Sequence, residues 1–500
     1  MAGPIVCVAG AGTAGLEALL CAREALGADA ELRLIAPDRE FRYRPMSPDS
    51  LFHPAGEHSL AIGDLAAEVG ATWVGDAAAA VDESERYVLT REGETISFDF
   101  LLLALGGRAH RVIRQGYTWE RGADPGFLDE VIADLRAGKA RSVAIVVPRG
   151  ARWPLPAYEL ALVLAWTATG SSAQITLITA EEQPLAALGR AASDAIAAEL
   201  HDAGVETING VEPIDDPDAR EDPSQPVQVV FVPESAASLP GSLVGKPTDP
   251  AGLRLGDRKR AEFDRLISLP SVDGPFLSGV ATDAVGFIEV DEGLRVCGSE
   301  RVWAAGGCVS AALEHSALGA LQADVAIGAI ARVAAAGDGA RAATAPGLDA
   351  PDLTGMLLTG QRERWLAENP AGTQQPSTRC LWWPPGRAVG RMLARHIAAW
   401  DPSVEHELPD QARGLVIRAP VALGCSGQPP TPGGASTTDR AARLRDIDAR
   451  QLMALRRRER ATEAELREMD AKLQTLAARQ QAVVKELRHH GYLSHRRVAS

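Results

Sequence analysis

Ile5-Val-Cys-Val-Ala-Gly-Ala-Gly-Thr-Ala-Gly-Leu-Glu-Ala-Leu-Leu-Cys-Ala-Arg-Glu-Ala-Leu26 is the stretch from which the rest of the chain is read. Ile5 to Ala9 is a short, wholly apolar run, the pattern of a parallel strand buried on both faces. Gly10-Ala-Gly12-Thr-Ala-Gly15 follows without a spacer, and Leu16, Leu19, Leu20 and Leu26 then recur at helical spacing. Strand, glycine turn and helix in this order form the phosphate-gripping corner of a dinucleotide-binding unit. Gly10 permits the tight turn, Gly12 lets backbone approach a pyrophosphate, and Gly15 lets the helix pack on the strand. The helix N-terminus presents free N–H groups and a partial positive charge to the anion. A glycine-rich turn without a ligand is the plainer reading of the same residues.

Five hundred residues exceed one hydrophobic core, so two packed domains and an appendage are expected. With 46% hydrophobic and 23% charged residues the composition is that of a globular protein. No run of eighteen apolar residues is free of charge, which predicts no membrane-spanning helix. The first strand begins at Ile5, which leaves no room for a signal peptide, and a cytoplasmic location is expected. The six cysteines form no CxxC pair, so neither a zinc knuckle nor a thioredoxin-like motif is expected, and no metal site. The net charge of −15 is unevenly spread: from Arg440 onward 15 Lys and Arg face 8 Asp and Glu, a net of +7, leaving −22 for the rest. An acidic body argues against nucleic acid as a partner.

Ala30 to Ala36 reads as the second parallel strand. The acid that binds an adenosine ribose near the end of such a strand is replaced by Ala36, and Asp38 two residues on is either that ribose partner or a turn residue. A helix over 63–71, a strand over 72–81, and a buried strand in Phe98-Asp-Phe-Leu-Leu-Leu-Ala-Leu-Gly-Gly107 are expected next. Ser142 to Val147 begins a second strand–turn–helix–strand unit, in which Arg152, Pro154 and Ala157 stand where the glycines would be and crowd a pyrophosphate. Phe263 to Leu269 precedes a turn, and Arg301-Val-Trp-Ala-Ala-Gly-Gly307 is again a buried strand ending in glycines, followed by a helix over 316–336. The plan is an α/β chain with two Rossmann-like dinucleotide-binding domains: a first domain in residues 1–110, a second with a degenerate fingerprint in 111–270, and a return of the first in 271–345. A capping region (346–408), a linker (409–438) and a helix (439–490) complete it.

These blocks resemble the flavoproteins around sulfide:quinone oxidoreductase and type II NADH dehydrogenase, within the pyridine nucleotide-disulfide reductase superfamily of NAD(P)/FAD-dependent oxidoreductases. The likeness is carried in order by Gly10 to Glu17, Ala36 to Pro45, Asp99 to Gly107, Trp153 to Ala161, Gly286-Phe-Ile288, Val302 to Gly307, Leu318 to Asp324, Met356 to Gly360 and Leu381 to Pro384. The resemblance implies FAD in the first domain, with Gly10, Gly12 and Gly15 on its pyrophosphate and Ala104 to Gly106 beside the ADP moiety. Phe41 to Pro45, including Arg44, and the glycines Gly306 and Gly307 lie toward the flavin. It also implies NAD(P)H as donor class, a quinone-like acceptor, and Glu159 as a carboxylate that relays the acceptor's proton. The plainer role of Glu159 is to favour its helix N-terminus.

The chain departs from that family at Gly307, where an Asp would bond the ribityl chain, and at Glu314, where a Lys would face the flavin. Cys308 is either a nucleophile or a packed apolar residue; the separated cysteines of sulfide oxidation have no match. Two functions follow. One is a FAD-dependent oxidoreductase passing electrons from a reduced donor to a quinone-like acceptor. The other is a decayed flavoprotein scaffold that acts through its tail. Arg387, Arg391 and Arg395 share a helix face suited either to peripheral membrane contact or to capping the second domain. Leu452 to Leu487 carries a three–four repeat in which eight of eleven seam positions are apolar, a coiled coil for a homodimer or another partner, or one amphipathic helix. Deleting residues 439–500 is expected to turn a dimer into a monomer in analytical ultracentrifugation; a dimer that survives the deletion removes the coiled-coil expectation.

Overall fold

Buried on nearly every side chain, Ile5–Ala9 forms the strand (β1) that its apolar run predicts, and the chain folds around it. The computed structural model describes residues 3–42, 59–120, 126–186, 190–215, 227–233, 259–310, 315–336, 355–358, 363–366 and 390–398. In chain order β1 leads to α1 (Thr13–Leu26), β2 (Glu31–Ile35), α2 (Ile62–Glu68), β3 (Ala71–Val74), β4 (Phe100–Leu103), β5 (Arg108–His110) and β6 (Tyr117–Thr118). Next come α3 (Gly126–Arg136), β7 (Ser142–Val147), α4 (Leu155–Thr167), β8 (Gln174–Thr179), α5 (Arg190–Asp202) and β9 (Glu206–Ile208). After a three-stranded antiparallel meander, β10 (Arg265–Ser268), β11 (Ser271–Asp273), β12 (Val302–Ala304), α6 (Ser316–Ala336) and α7 (Leu393–Ala398) follow.

Two parallel sheets result. The first has the order β12-β4-β1-β2-β3, so the late strand β12 completes a sheet begun almost three hundred residues earlier. The second has the order β6-β10-β7-β8-β9. Both belong to the doubly wound α/β class, as expected for two Rossmann-like units. The chain passes between the units along β5 and β11, which pair antiparallel with Arg108 opposite Asp273. Each sheet has its own apolar core, the larger one around β1, β4, α1 and α6.

One local expectation is corrected. The strand expected over 72–81 breaks into β3 and Ala78–Asp82, because Asp76 folds back onto the backbone of Ala77 at 2.6 Å and accepts from Glu92 at 2.9 Å. The last strand of the meander ends at Phe263 and β10 begins at Arg265, with Asp264 between them. That carboxylate accepts from the amides of Arg141 and Ser142 at 2.7 and 3.0 Å and so moves the chain from the meander into the second sheet. By length and composition alone the segment Leu318–Ala336 of α6, which carries Asp324 and Arg332, could span a membrane; half of it is buried and it packs along α1 as a core helix. The seam over 452–487 and the linker lie outside the described residues.

Downstream sequence is tied back to the first helix by one buried carboxylate. Glu17, 1% exposed, accepts from the amides of Met392 at 2.9 Å and Leu393 at 2.7 Å, while Arg391 pairs with Glu24 and Asp324. Leu393 and Ile397 then enter the first core. Burial, opposed by the two amide bonds, raises the Glu17 pKa above the ordinary value of 4.5. A carboxyl raised in the native state contributes most to stability below its unfolded value, and that contribution is lost as pH rises through the raised one. Glu17→Gln, neutral throughout, is expected to flatten this part of the stability–pH curve in urea unfolding. Glu17→Ala is expected to cost about 2–4 kcal/mol by leaving two buried amides unpaired, and to expose the segment around Met392 to limited proteolysis.

Candidate cofactor-binding site

A cavity of about 570 Å³ opens where β1, β2, β4 and β12 end. This is the place the topology dictates: β2 lies on one side of β1 and β4 on the other, so the chain parts at the C-terminal end of β1 and leaves a crevice there. Gly10, Gly12 and Thr13 form its middle. Asp38, Ala77, Ala78 and Arg91 line one end, beyond β2 and β3. Gly306, Gly307, Arg152, Trp153 and His315 line the other, against the second unit.

The three glycines of the corner have three distinct reasons to be glycine. Gly10 sits at φ +109°, and a Cβ there would lie 2.2 Å from the carbonyl oxygen of Ala104. A Cβ on Gly15 would lie 1.9 Å from the carbonyl oxygen of Gly10, so α1 touches the turn that starts it. At Gly12 a Cβ meets no protein atom within 4 Å; the space it would fill is the cavity's. Gly12 is also the N-cap of α1, and no side chain caps that end. The amides of the first turn are therefore available to an anion in the cavity. This cradle fits a pyrophosphate.

At the second end, Gly306 takes φ +78°, packed against Ala14 and Gly319. Its amide donates to Oε1 of the buried Gln322 at 2.8 Å, which sets the direction of the turn into Gly307. The head of α6, His315 and Ser316, faces the same space, and the His315 ring lies 4.8 Å from that of Trp153. Arg152 reaches in from the second unit. Its guanidinium lies 4.0 Å from the centre of the Phe287 ring and donates to the carbonyl of Val309 at 3.0 Å.

The corresponding corner of the second unit is built differently. Three residues separate β1 from α1, whereas seven separate β7 from α4, and Pro154 caps the helix. The acid just past β8, Glu181, accepts a hydrogen bond from the Tyr158 hydroxyl at 2.6 Å, and burial raises its pKa above the ordinary value. That corner offers no open glycine cradle for a second pyrophosphate.

Of the residues singled out in the sequence, Gly10, Gly12, Asp38, Ala104, Gly106, Gly306 and Gly307 line the one cavity, and Gly15 supports it from behind. Arg44 and Glu314 lie outside the described residues. Glu159 is 4% exposed inside α4 and is not among the lining residues; Arg152 and Trp153, on the preceding loop, reach the cavity instead. Cys308 is fully buried, its thiol donates to the carbonyls of Leu103 and Ala305, and burial pushes its pKa up to about 11. That environment suits packing and not a nucleophile. Arg91, Gln322 and the Arg152–Trp153 pair were not legible as site residues, since they come from a hairpin turn, a helix interior and a glycine-poor loop.

Residues 4–223 match the model of a family described as pyridine nucleotide-disulphide oxidoreductase. No curated protein matches the chain in sequence. Among solved structures, the sulfide:quinone oxidoreductase of Aquifex aeolicus is similar at 16% identity and a TM-score of 0.57, over 75% of this chain and 86% of that one. A ferredoxin reductase of Rhodopseudomonas palustris matches at 16% identity and 0.49, over 73% and 82%. NDH2 of Plasmodium falciparum matches at 14% and 0.44, over 61% and 64%. At these identities the first likeness speaks to the fold. Cys308 is expected to resist alkylation by iodoacetamide in the native protein at mildly alkaline pH and to react fully in urea, as read by peptide mass spectrometry.

Proposed function

We propose, from the match of residues 4–223 to the pyridine nucleotide-disulphide oxidoreductase family, that the cavity holds FAD and that the protein is a flavin-dependent oxidoreductase of that superfamily. The observation that carries this reading is Gly12: a cap position without a side chain, at an uncapped helix N-terminus, facing open space in the middle of an elongated cavity. Gly10, Gly12 and the first turn of α1 hold the pyrophosphate. Asp38 and Arg91 attend the adenosine end, and Ala104 to Gly107 run alongside. Gly306 and Gly307 leave room at the far end, where Trp153 and His315 limit access of water.

When bound, FAD accepts two electrons from a reduced donor and passes them to an acceptor. The protein's part is to grip the ADP half and orient the far half against the second unit. The superfamily suggests NAD(P)H as donor class, and the likeness to a sulfide:quinone oxidoreductase suggests a quinone-like acceptor.

The test uses the visible spectrum of the full chain. Wild-type protein is expected to be yellow, or to become so on adding FAD, and to bleach with a reductant. Gly12→Val adds an isopropyl group to the cradle and meets no protein atom within 4 Å of its Cβ, so it is expected to keep the wild-type melting behaviour while weakening FAD retention at least about a hundredfold. A wild type that takes up no FAD, or a Gly12→Val that binds it normally, refutes the assignment. Titrating the loaded protein with NADH and NADPH identifies the donor.

A further inference from the structure

The charge on the cavity wall is lopsided. In a chain of net charge −15, the described lining residues carry four arginines (Arg42, Arg91, Arg108 and Arg152) and one carboxylate, Asp38. Asp38 stands at the end beyond β2. At the opposite end, beside Gly306 and Gly307, the cation that comes from the second unit is Arg152.

Arg152 is held in place by parts of the first unit. Its guanidinium lies over Phe287 at 4.0 Å and donates to the carbonyl of Val309, two residues past Gly307. Phe287 is itself fixed: its amide donates to Asp283 at 2.9 Å, and Ser310 donates to the other oxygen of that carboxylate at 2.7 Å. Val309 closes the turn begun at Gly306 through its own amide at 3.0 Å. The planar cation is thus anchored on one face and one edge, and Arg152 lines the cavity where the two units meet. Arg108, the other cation nearby, faces the Asp273 carboxylate across β5 and β11.

Resting on the reading of the cavity as a FAD site, we propose that Arg152 is the cation that stabilises the reduced flavin, supplied across the domain boundary by the loop that no longer forms a glycine corner. Uptake of two electrons and one proton leaves the ring system with one net negative charge. A fixed positive charge in a partly desolvated site favours that form over the neutral oxidised one. The residue that fills the second unit's phosphate corner serves the first unit's cofactor.

The experiment compares wild type with Arg152→Met, Arg152→Lys and Arg108→Met, each loaded with FAD. Two readouts besides turnover are used: the flavin midpoint potential, and the affinity for sulfite, which adds its lone pair to the oxidised ring and leaves one negative charge on it. Arg152→Met is expected to keep its flavin while the potential falls and sulfite affinity drops at least about tenfold. Arg152→Lys is expected to restore most of both, and Arg108→Met to change them less. Flavin-loaded Arg152→Met with unchanged potential and sulfite affinity overturns the proposal. So does Arg152→Lys falling as far as Arg152→Met, which marks a packing role, or an equal loss in Arg108→Met. A wild type that binds no flavin overturns the FAD reading itself, and this one with it.

Discussion

Everything at the site depends on a contact that only hydrogen atoms allow: α1 lies against the turn that precedes it. A Cβ at Gly15 would sit 1.9 Å from the Gly10 carbonyl oxygen, and a Cβ at Gly10 would sit 2.2 Å from the Ala104 carbonyl oxygen. Helix, turn and the end of β4 are therefore stacked at backbone distance. That stacking brings the uncapped N-terminus of α1 directly over the end of β1. Without it the helix would stand off the sheet and the amides of its first turn would miss the crevice.

The same close packing organises the far end. Gly306 rests on Ala14 of the α1 first turn and on Gly319 of α6, so the two helices and the last strand of the sheet converge on one point. Gln322 then directs the Gly306 amide, and the turn runs on to Cys308 and Val309. In this setting Cys308 is a small buried apolar group. Its carbonyl receives the Ile288 amide at 2.7 Å, which joins the turn to the segment carrying Phe287. Arg152 closes the circuit by resting on that segment from the second unit. The second Rossmann-like unit thus contributes a wall and a cation to the first, while its own phosphate corner is long, proline-capped and occupied by side chains.

Much of this was legible early because it is local. The three corner glycines, the apolar runs of β1, β4, β7 and β12, and the α6 pattern over 316–336 each state their structure within about twenty residues. Asp38 and the glycine pairs at 106–107 and 306–307 were legible by position at strand ends. What escaped were groups whose role depends on a neighbour distant in sequence. Glu17 looks like any helix glutamate until Met392 and Leu393 arrive. Glu159 reads as a site acid by its place at the head of the second helix, yet it is buried within α4 and does not line the cavity. The strand expected over 72–81 was too long because Asp76 captures the backbone amides of Ala77 and Glu92 and turns the chain.

By itself the sequence determined the class of fold, the presence of two Rossmann-like units and the residues of one glycine corner, because glycine stereochemistry and apolar periodicity act over short distances. Only the tertiary structure decided which residues share the cavity, that Arg152 and Trp153 belong to it and Glu159 and Cys308 do not, and that a segment near residue 392 is fastened to α1. Those outcomes are set by the angle at which one unit meets the other and by which buried polar group finds a partner. Neither is written in any single stretch of chain.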